Sequence, residues 1–269
     1  TRGIERSDEG LDIAAGEGWD EAVALLVSEG YAGVEALSGI PGLVGAAPIQ
    51  NIGAYGQDLS QTLRRVRALD RRTGDEVELD DDDCRFTYRH SVFKGSDRYV
   101  VLSVCLGLDE SPLGRPVRYA ELARRLGVAA GEQVPAADVR AAVLELRRGK
   151  GMVLDSADHD TWSAGSFFTN PLLAADEAQR LLPGDAPRWP EADGRVKASA
   201  AWLIERSGFG KGYGDGAVRL SEKHTLALTN RGGASTAELL ALAREVRDGV
   251  RERFGITLVN EPVLVGCEL

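Results

Sequence analysis

Four short segments of the sequence contain residue types that could bind a ligand or move a proton. The first, 37–57, holds five glycines, two prolines and mostly small side chains. Such a stretch lets the backbone approach a large planar or phosphorylated ligand and offers N–H donors to it. The same composition also suits a long loop that needs several positive φ angles. The segment lacks the lysine of a P-loop and the GxGxxG spacing, so neither nucleotide-binding motif applies.

The second segment, 85–94, reads Arg-Phe-Thr-Tyr-Arg-His-Ser-Val-Phe-Lys. If 87–92 is extended, alternation places Tyr88 and His90 on one face and Arg89 and Ser91 on the other. An arginine on a strand beside aromatic residues is usually a surface group whose aliphatic stem packs on the sheet.

The remaining two segments each carry one group that could handle a proton. Ser166 lies in Ala-Gly-Ser-Phe-Phe-Thr-Asn-Pro, where its hydroxyl could donate a proton or cap a turn. No GxSxG elbow surrounds it, so a serine hydrolase triad is not indicated. Glu261 precedes Pro262 and an apolar run, and we expect it at the mouth of a strand where desolvation favours the protonated carboxyl.

Length and charge limit the classes of protein that fit. The 269 residues predict two compact units, and the net charge of −10 argues against a nucleic-acid partner. No apolar run approaches the roughly 20 residues that cross a bilayer, so we expect a cytoplasmic protein with no membrane partner. The three cysteines are far apart and form no CxxC pair, which predicts neither a metal site nor a disulfide.

Hydrophobic periodicity predicts an α+β fold with mixed sheets rather than a strict βαβ succession. A turn at Thr73-Gly74 predicts a hairpin, and Ser235 with Glu238 forms the capping box of the clearest helix. The predicted helices are 19–30, 120–126, 136–148, 174–182, 199–206 and 235–254. The predicted strands are 11–15, 66–69, 76–79, 99–106, 226–228 and 256–266.

The order and spelling of the four segments, together with Tyr119 in Pro-Val-Arg-Tyr-Ala-Glu-Leu and the run 201–205, closely resemble the type I UDP-N-acetylenolpyruvoylglucosamine reductase family. Those flavoenzymes complete UDP-N-acetylmuramate in bacterial peptidoglycan synthesis. The resemblance implies FAD and NADPH as cofactors and a UDP-sugar enolpyruvyl ether as the small-molecule substrate. It also implies a monomer with an FAD-binding α+β domain of the vanillyl-alcohol-oxidase (PCMH-like) type and a smaller α+β substrate domain.

The resemblance assigns roles to individual residues. It implies that Arg89, Ser166 and Glu261 are catalytic. The substrate contacts it implies are Tyr119, Lys150, Asn170, Lys211 and His224. The FAD contacts it implies are Ser38, Gly39, Gly42, Gly45, Ala46, Ala47, Ile49, Gln50, Asn51, Gly53, Ala54 and Tyr55.

The family pattern also predicts how the chain is divided. We expect a second FAD-binding subdomain with the tyrosine loop over 1–154, a substrate domain over 155–258, and a C-terminal strand over 259–269 that returns to the FAD domain. The family's first FAD-binding subdomain, with its GGGSN-like loop, has no counterpart, so the sequence is expected to begin after it. Two alternatives stay open: a related flavoenzyme that oxidises another substrate, and a flavin-free remnant that binds sugar nucleotide or a partner.

Overall fold

A five-stranded antiparallel sheet organises the first half of the chain in the computed structural model, which describes residues 2–269. The chain divides into two units, 1–148 and 149–269. The sheet of the first unit has the strand order Ile4–Ser7, Gly10–Ala14, Tyr99–Leu106, Leu63–Asp70 and Glu76–Asp80. Short antiparallel pairs join Tyr31–Ala32 to Asp109–Glu110 and Gly53–Ala54 to Gln57–Asp58.

The hairpin predicted around Thr73-Gly74 is confirmed. Leu69 pairs with Glu76, and Gly74 adopts φ +82°, a conformation that glycine enters without steric cost. Side chains alternate across the longer strand, so that Val66 and Ala68 are fully buried. The hairpin thereby supplies one face of the core of the first unit.

Helix Trp19–Ser28 packs on this core with one apolar face. Trp19, Ala22, Val23 and Leu26 are buried, and the Trp19 indole donates to the carbonyl oxygen of Leu37 at 3.0 Å. Burying one such large apolar side chain stabilises a fold by about 1.5–3 kcal/mol. Helices Asp81–Cys84, Ala120–Leu126 and Ala136–Gly149 complete the unit. The last two enclose a smaller apolar cluster.

The second unit has its own core, beneath the long helix Thr236–Phe254. Ser235 and Glu238 make both hydrogen bonds of the predicted capping box, and Gly255 ends the helix at φ +70°. The other helices are Ala175–Leu181 and Ala200–Arg206. The strands form one sheet of order Leu172–Leu173, Val196–Ala198 and Arg188–Pro190, and one hairpin of Val218–Leu220 with Leu228–Asn230.

Neither the extended conformation considered for 87–92 nor the strand predicted over 256–266 is observed. Segment 87–92 contains a turn, in which Thr87 pairs with His90 and Arg89 takes φ +54°. Segment 256–266 is not a strand either, and an isolated bridge joins its Asn260 to Phe168. Pro262 lacks the N–H that would continue that ladder. The domain boundaries at 154/155 and 258/259, and the return of 259–269 to the FAD domain, stay predictions.

Within residues 2–269, no helix combines the length and the apolar character that crossing a membrane requires.

Candidate active site

The Arg89 guanidinium is held against the glycine-rich segment of the first unit. Nη2 donates to the carbonyl oxygen of Gly53 at 2.5 Å, and Nη1 donates to that of Asn51 at 3.5 Å. A Cβ at Gly53 would lie 2.8 Å from Nη1, so only glycine leaves room for the cation there. The second predicted segment is therefore docked onto the first.

Two neighbouring contacts reinforce this docking. The Ser91 hydroxyl donates to the Ile49 carbonyl oxygen at 2.7 Å. The side chain of Asn51 accepts from the Ser60 N–H at 3.0 Å and donates to the Thr87 carbonyl oxygen at 3.4 Å. Asn51 itself takes φ +46°, a region that asparagine tolerates better than most residues. These bonds explain why the chain turns at 87–90 instead of continuing as a strand.

Several residues predicted to contact FAD are packed against other parts of the protein. Ser38, Ala47 and Asn51 are buried, and the Gly39 N–H donates to Asp20 at 2.6 Å. A Cβ at Gly39 would meet Leu144 at 2.8 Å, and one at Gly45 would meet Ala15 at 2.7 Å. Close packing within the chain is therefore enough to explain why glycine occupies positions 39 and 45.

The other side of the same segment is more open. Gly42 has φ +110°, and within residues 2–269 no atom outside Gly42 and its two chain neighbours lies within 4 Å of the position that a Cβ would take there. Ala46 is exposed, and Gly56, exposed at φ +86°, has its nearest neighbour at 3.8 Å. The half-buried residues between these ends are Gly45, Ile49, Gln50, Ile52, Gly53, Ala54 and Tyr55. Small residues with open space above the backbone allow a planar ring or a phosphate to approach closely.

Tyr55 and Tyr119 meet at one end of this segment. Their rings pack edge to face with centroids 5.4 Å apart. Burial raises the pKa of Tyr55 to about 12 and also raises the pKa of Tyr119, so both phenols stay protonated at neutral pH and act as neutral hydrogen-bonding groups. Tyr119 is nevertheless 44% exposed, which leaves it able to contact a ligand.

In the second unit, Ser166 lies beside His224. The Ser166 Oγ and the His224 Nε2 are 3.4 Å apart. Ser166 also pairs with Ala227 through a backbone bridge, and the Phe167 N–H donates to the Leu226 carbonyl oxygen at 2.7 Å. The backbone therefore places the hydroxyl and the imidazole, 58 positions apart in sequence, at one point.

The other predicted residues of this unit occupy different positions. The Glu261 N–H donates to the Phe167 carbonyl oxygen at 2.8 Å, so Glu261 lies on the segment next to Ser166. The side-chain oxygen of Asn170 accepts from the Ala200 N–H at 2.9 Å, at the start of a helix. Lys150 is half-buried at the start of the unit, and Lys211 is exposed in a turn after helix Ala200–Arg206. Arg89 belongs to the first unit, and its convergence with Ser166 and Glu261 stays a prediction.

Two carboxylates that the sequence did not predict hold the backbone near Tyr119 and near His224. Glu35 is fully buried and accepts from Gly33 N at 2.6 Å, Arg115 N at 2.7 Å and Gln57 Nε2 at 2.8 Å. It ties the end of the glycine-rich segment to the chain that leads to Tyr119. Glu205 accepts from the hydroxyl of Thr225 at 2.6 Å, next to His224. In the sequence, the one indication of a buried role for Glu35 is that it is a single acidic residue among small and apolar neighbours.

Comparison with known proteins defines the class first. Residues 2–80 match a family described as "FAD binding domain". The fold resembles that of the solved UDP-N-acetylenolpyruvylglucosamine reductase from Thermus caldophilus, with a TM-score of 0.62 over 96% of this chain and 73% of that one. At 23% identity this likeness concerns the fold alone. The chain is thus an α+β protein whose residues 2–80 belong to a family of FAD-binding domains.

Closer relatives define the family. Residues 156–265 match the family "UDP-N-acetylenolpyruvoylglucosamine reductase, C-terminal domain". The reductase of that name from Thermobifida fusca is 63% identical over 266 residues, which are 96% of this chain and 75% of the relative. That from Streptomyces coelicolor is 58% identical, over 100% of this chain and 73% of the relative. The chain belongs to the UDP-N-acetylenolpyruvoylglucosamine reductase family, as the four segments predicted.

Proposed function

We propose that the protein reduces the enolpyruvyl ether of UDP-N-acetylglucosamine to UDP-N-acetylmuramate, with NADPH as reductant and FAD as carrier, in peptidoglycan precursor synthesis. The observation that carries the proposal is Arg89, a cation held by two carbonyl groups of the predicted flavin-binding segment. Its left-handed backbone supports a functional role, because strained conformations persist chiefly where a site requires them.

Bound FAD would supply the hydride, and the side chains of this chain would bind, orient and protonate the substrate. The open side of the glycine-rich segment, at Gly42, Ala46 and Gly56, would hold the cofactor. In this proposal hydride addition at C3 of the enolpyruvyl group leaves negative charge on C2 and the carboxylate. The planar guanidinium of Arg89 matches a carboxylate with two parallel hydrogen bonds. One such preorganised donor is typically worth roughly 10²–10³ in rate.

The reaction is completed when C2 receives a proton. Ser166 would give its hydroxyl proton to C2, and Glu261 would assist at the carboxylate as a hydrogen-bonding group. A positioned acid contributes on the order of 10²–10⁴ in rate. Serine is a weak acid, but an enolate carbon is a strong base, so the transfer is downhill.

The substrate carries two phosphate charges, which an acidic protein must meet with local cations. We assign this role to Lys150 and Lys211, and we place Tyr119 and Asn170 over the nucleotide. The edge contact with Tyr55 supports the assignment for Tyr119, since it limits the orientations that the exposed ring can take. The domain layout 1–154, 155–258 and 259–269, the monomeric state and the cytoplasmic location belong to the same proposal.

The Ser166→Ala variant tests the function. We expect reduction of bound FAD by NADPH to keep its rate, because Ser166 takes no part in that half-reaction. Reoxidation of the reduced flavin by UDP-N-acetylglucosamine enolpyruvate should slow by at least about 10². Stopped-flow absorbance at the flavin band separates the two half-reactions, and equal slowing of both would refute the assignment.

A further inference from the structure

In the hydrogen bond between Ser166 and His224, either side chain can be the donor. The choice of donor decides whether the hydroxyl proton of Ser166 is available to the substrate. A serine hydroxyl has one proton and two lone pairs, and a neutral imidazole has one N–H and one acceptor nitrogen. If Ser166 donates to Nε2, its only proton points at the ring. If Nε2–H donates to Oγ, the hydroxyl proton is left for the substrate. The 3.4 Å separation accommodates either direction.

We propose that His224 carries its proton on Nε2 and donates it in a hydrogen bond to Ser166 Oγ, which makes His224 a positioning residue for the proton transfer. The proposal rests on the proposed function and deepens it. When the Ser166 O–H bond breaks and the C2–H bond forms, negative charge is left on Oγ. The same Nε2–H then stabilises that charge, since hydrogen bonds to charged oxygen are about twice as strong as neutral ones. Ser166 afterwards recovers a proton from water.

The turn that carries His224 is preorganised for this task. The hydroxyl of Ser221 accepts from the His224 N–H at 3.2 Å and from the Lys223 N–H at 3.0 Å. The His224 carbonyl oxygen accepts from the Ala227 N–H at 3.0 Å. Thr225 is 2% exposed and donates to Glu205 on the adjoining helix at 2.6 Å. The backbone on both sides of His224 is therefore anchored, which limits how far the imidazole can move from Ser166.

The charged groups around this turn are paired with one another. Lys223 forms an ion pair with Asp158, and Arg231 joins Asp160 at 2.9 Å and Glu222 at 3.3 Å. Helix Ala200–Arg206 contributes one more charged group, Glu205, which accepts a hydrogen bond from Thr225. The segment that pairs with Phe167 contributes Glu261.

The tautomer of His224 can be read directly by NMR. The sequence has three histidines, so ¹⁵N-histidine labelling gives three imidazole patterns, and the His224→Gln spectrum identifies the one that is lost. We expect a protonated Nε2 and an unprotonated Nδ1 at neutral pH, with the Nε2 resonance moving in Ser166→Ala. A proton on Nδ1 with Nε2 as acceptor would overturn the proposal, whatever reaction the enzyme catalyses.

Kinetics of the FAD-loaded protein give the second test. His224→Ala should slow flavin reoxidation at saturating substrate about tenfold, the equivalent of one lost hydrogen bond, with little change in KM. His224→Gln, whose amide N–H can donate to Oγ, should stay within about threefold of the wild type. His159→Gln, which alters an imidazole packed on Trp162, serves as the matched control.

The outcomes separate the two proposals. A raised KM with an unchanged reoxidation rate would make His224 a substrate contact and refute its positioning role. Wild-type protein that binds FAD but is not reoxidised by the enolpyruvyl ether would refute the proposed function. The NMR result would still decide the direction of the hydrogen bond.

Discussion

Arg89 combines an unfavourable backbone conformation with a side chain that its surroundings hold in place. A non-glycine residue at φ +54° costs about 1–3 kcal/mol, which the surrounding contacts must offset. Two carbonyl oxygens accept from the guanidinium, and the ammonium of Lys94 donates to the Arg89 carbonyl oxygen at 3.1 Å. A preorganised cation of this kind loses little entropy when it meets a carboxylate.

Gly53 is the residue on which this arrangement depends. In Gly53→Ala the new Cβ would lie 2.8 Å from Arg89 Nη1 and 3.0 Å from Asp58 Cβ, so the guanidinium must move. We expect the rate of flavin reoxidation to fall by about 10² while the circular dichroism spectrum is kept. Gly184→Ala is the control, since its φ is not positive and, within residues 2–269, no atom outside Gly184 and its two chain neighbours lies within 4 Å of the new Cβ. An unchanged rate in Gly53→Ala would show that the fixed position of Arg89 is unimportant.

At the scale of elements, Asp20 joins three parts of the first unit. It lies on helix Trp19–Ser28, forms an ion pair with Arg140 of helix Ala136–Gly149 at 2.5 Å, and accepts from the Gly39 N–H of the glycine-rich segment. Burial alone raises the pKa of Asp20, but the bonds from Arg140 and Gly39 outweigh it and hold the pKa below its usual value. The anion is thus favoured in the folded state.

The sign of the resulting pH dependence follows from linkage. A carboxyl whose pKa is lowered on folding contributes stability above its unfolded pKa of about 3.9 and loses it as pH falls through the folded value. Asp20→Asn should therefore unfold more easily than the wild type at pH 7, by about 1–2 kcal/mol, and the difference should shrink near pH 3. Urea unfolding at the two pH values measures it. Asp97→Asn, at a 97% exposed side chain, is the control. An equal difference at both pH values would contradict this account.

At the scale of the whole molecule, cofactor binding separates the proposed reductase from the flavin-free alternative. A ligand that binds only the folded state stabilises it by about 2.7 kcal/mol at a hundredfold excess over its Kd. FAD should therefore raise the thermal unfolding midpoint, and the purified protein should be yellow. Ala46→Glu, which places a negative charge on the exposed side of the glycine-rich segment, should reduce the shift without changing the midpoint of the FAD-free protein. No shift for the wild type would favour the flavin-free alternative.

Local patterns were enough to predict most of the regular elements and the family. The apolar spacing of Trp19, Ala22, Val23 and Leu26, the Thr73-Gly74 turn and the Ser235 capping box each act within a few residues, so they can be read from the chain directly. The four motifs identified the family for the same reason. Each motif is a short run of consecutive residues, even though its side chains act together with residues that are distant in sequence.

Tertiary contacts decided what local patterns left open. The sequence left open whether 87–92 is extended, and hydrogen bonds from Arg89 and Ser91 to carbonyl oxygens 36 and 42 positions away hold it in a turn. The Ser166–His224 contact, the burial of Glu35 and the internal packing at Gly39 and Gly45 likewise depend on residues distant in sequence. The sequence by itself determined which groups are present and which elements carry them. Only the folded chain decided their neighbours, because hydrogen bonds and steric contacts act over a few ångströms in space.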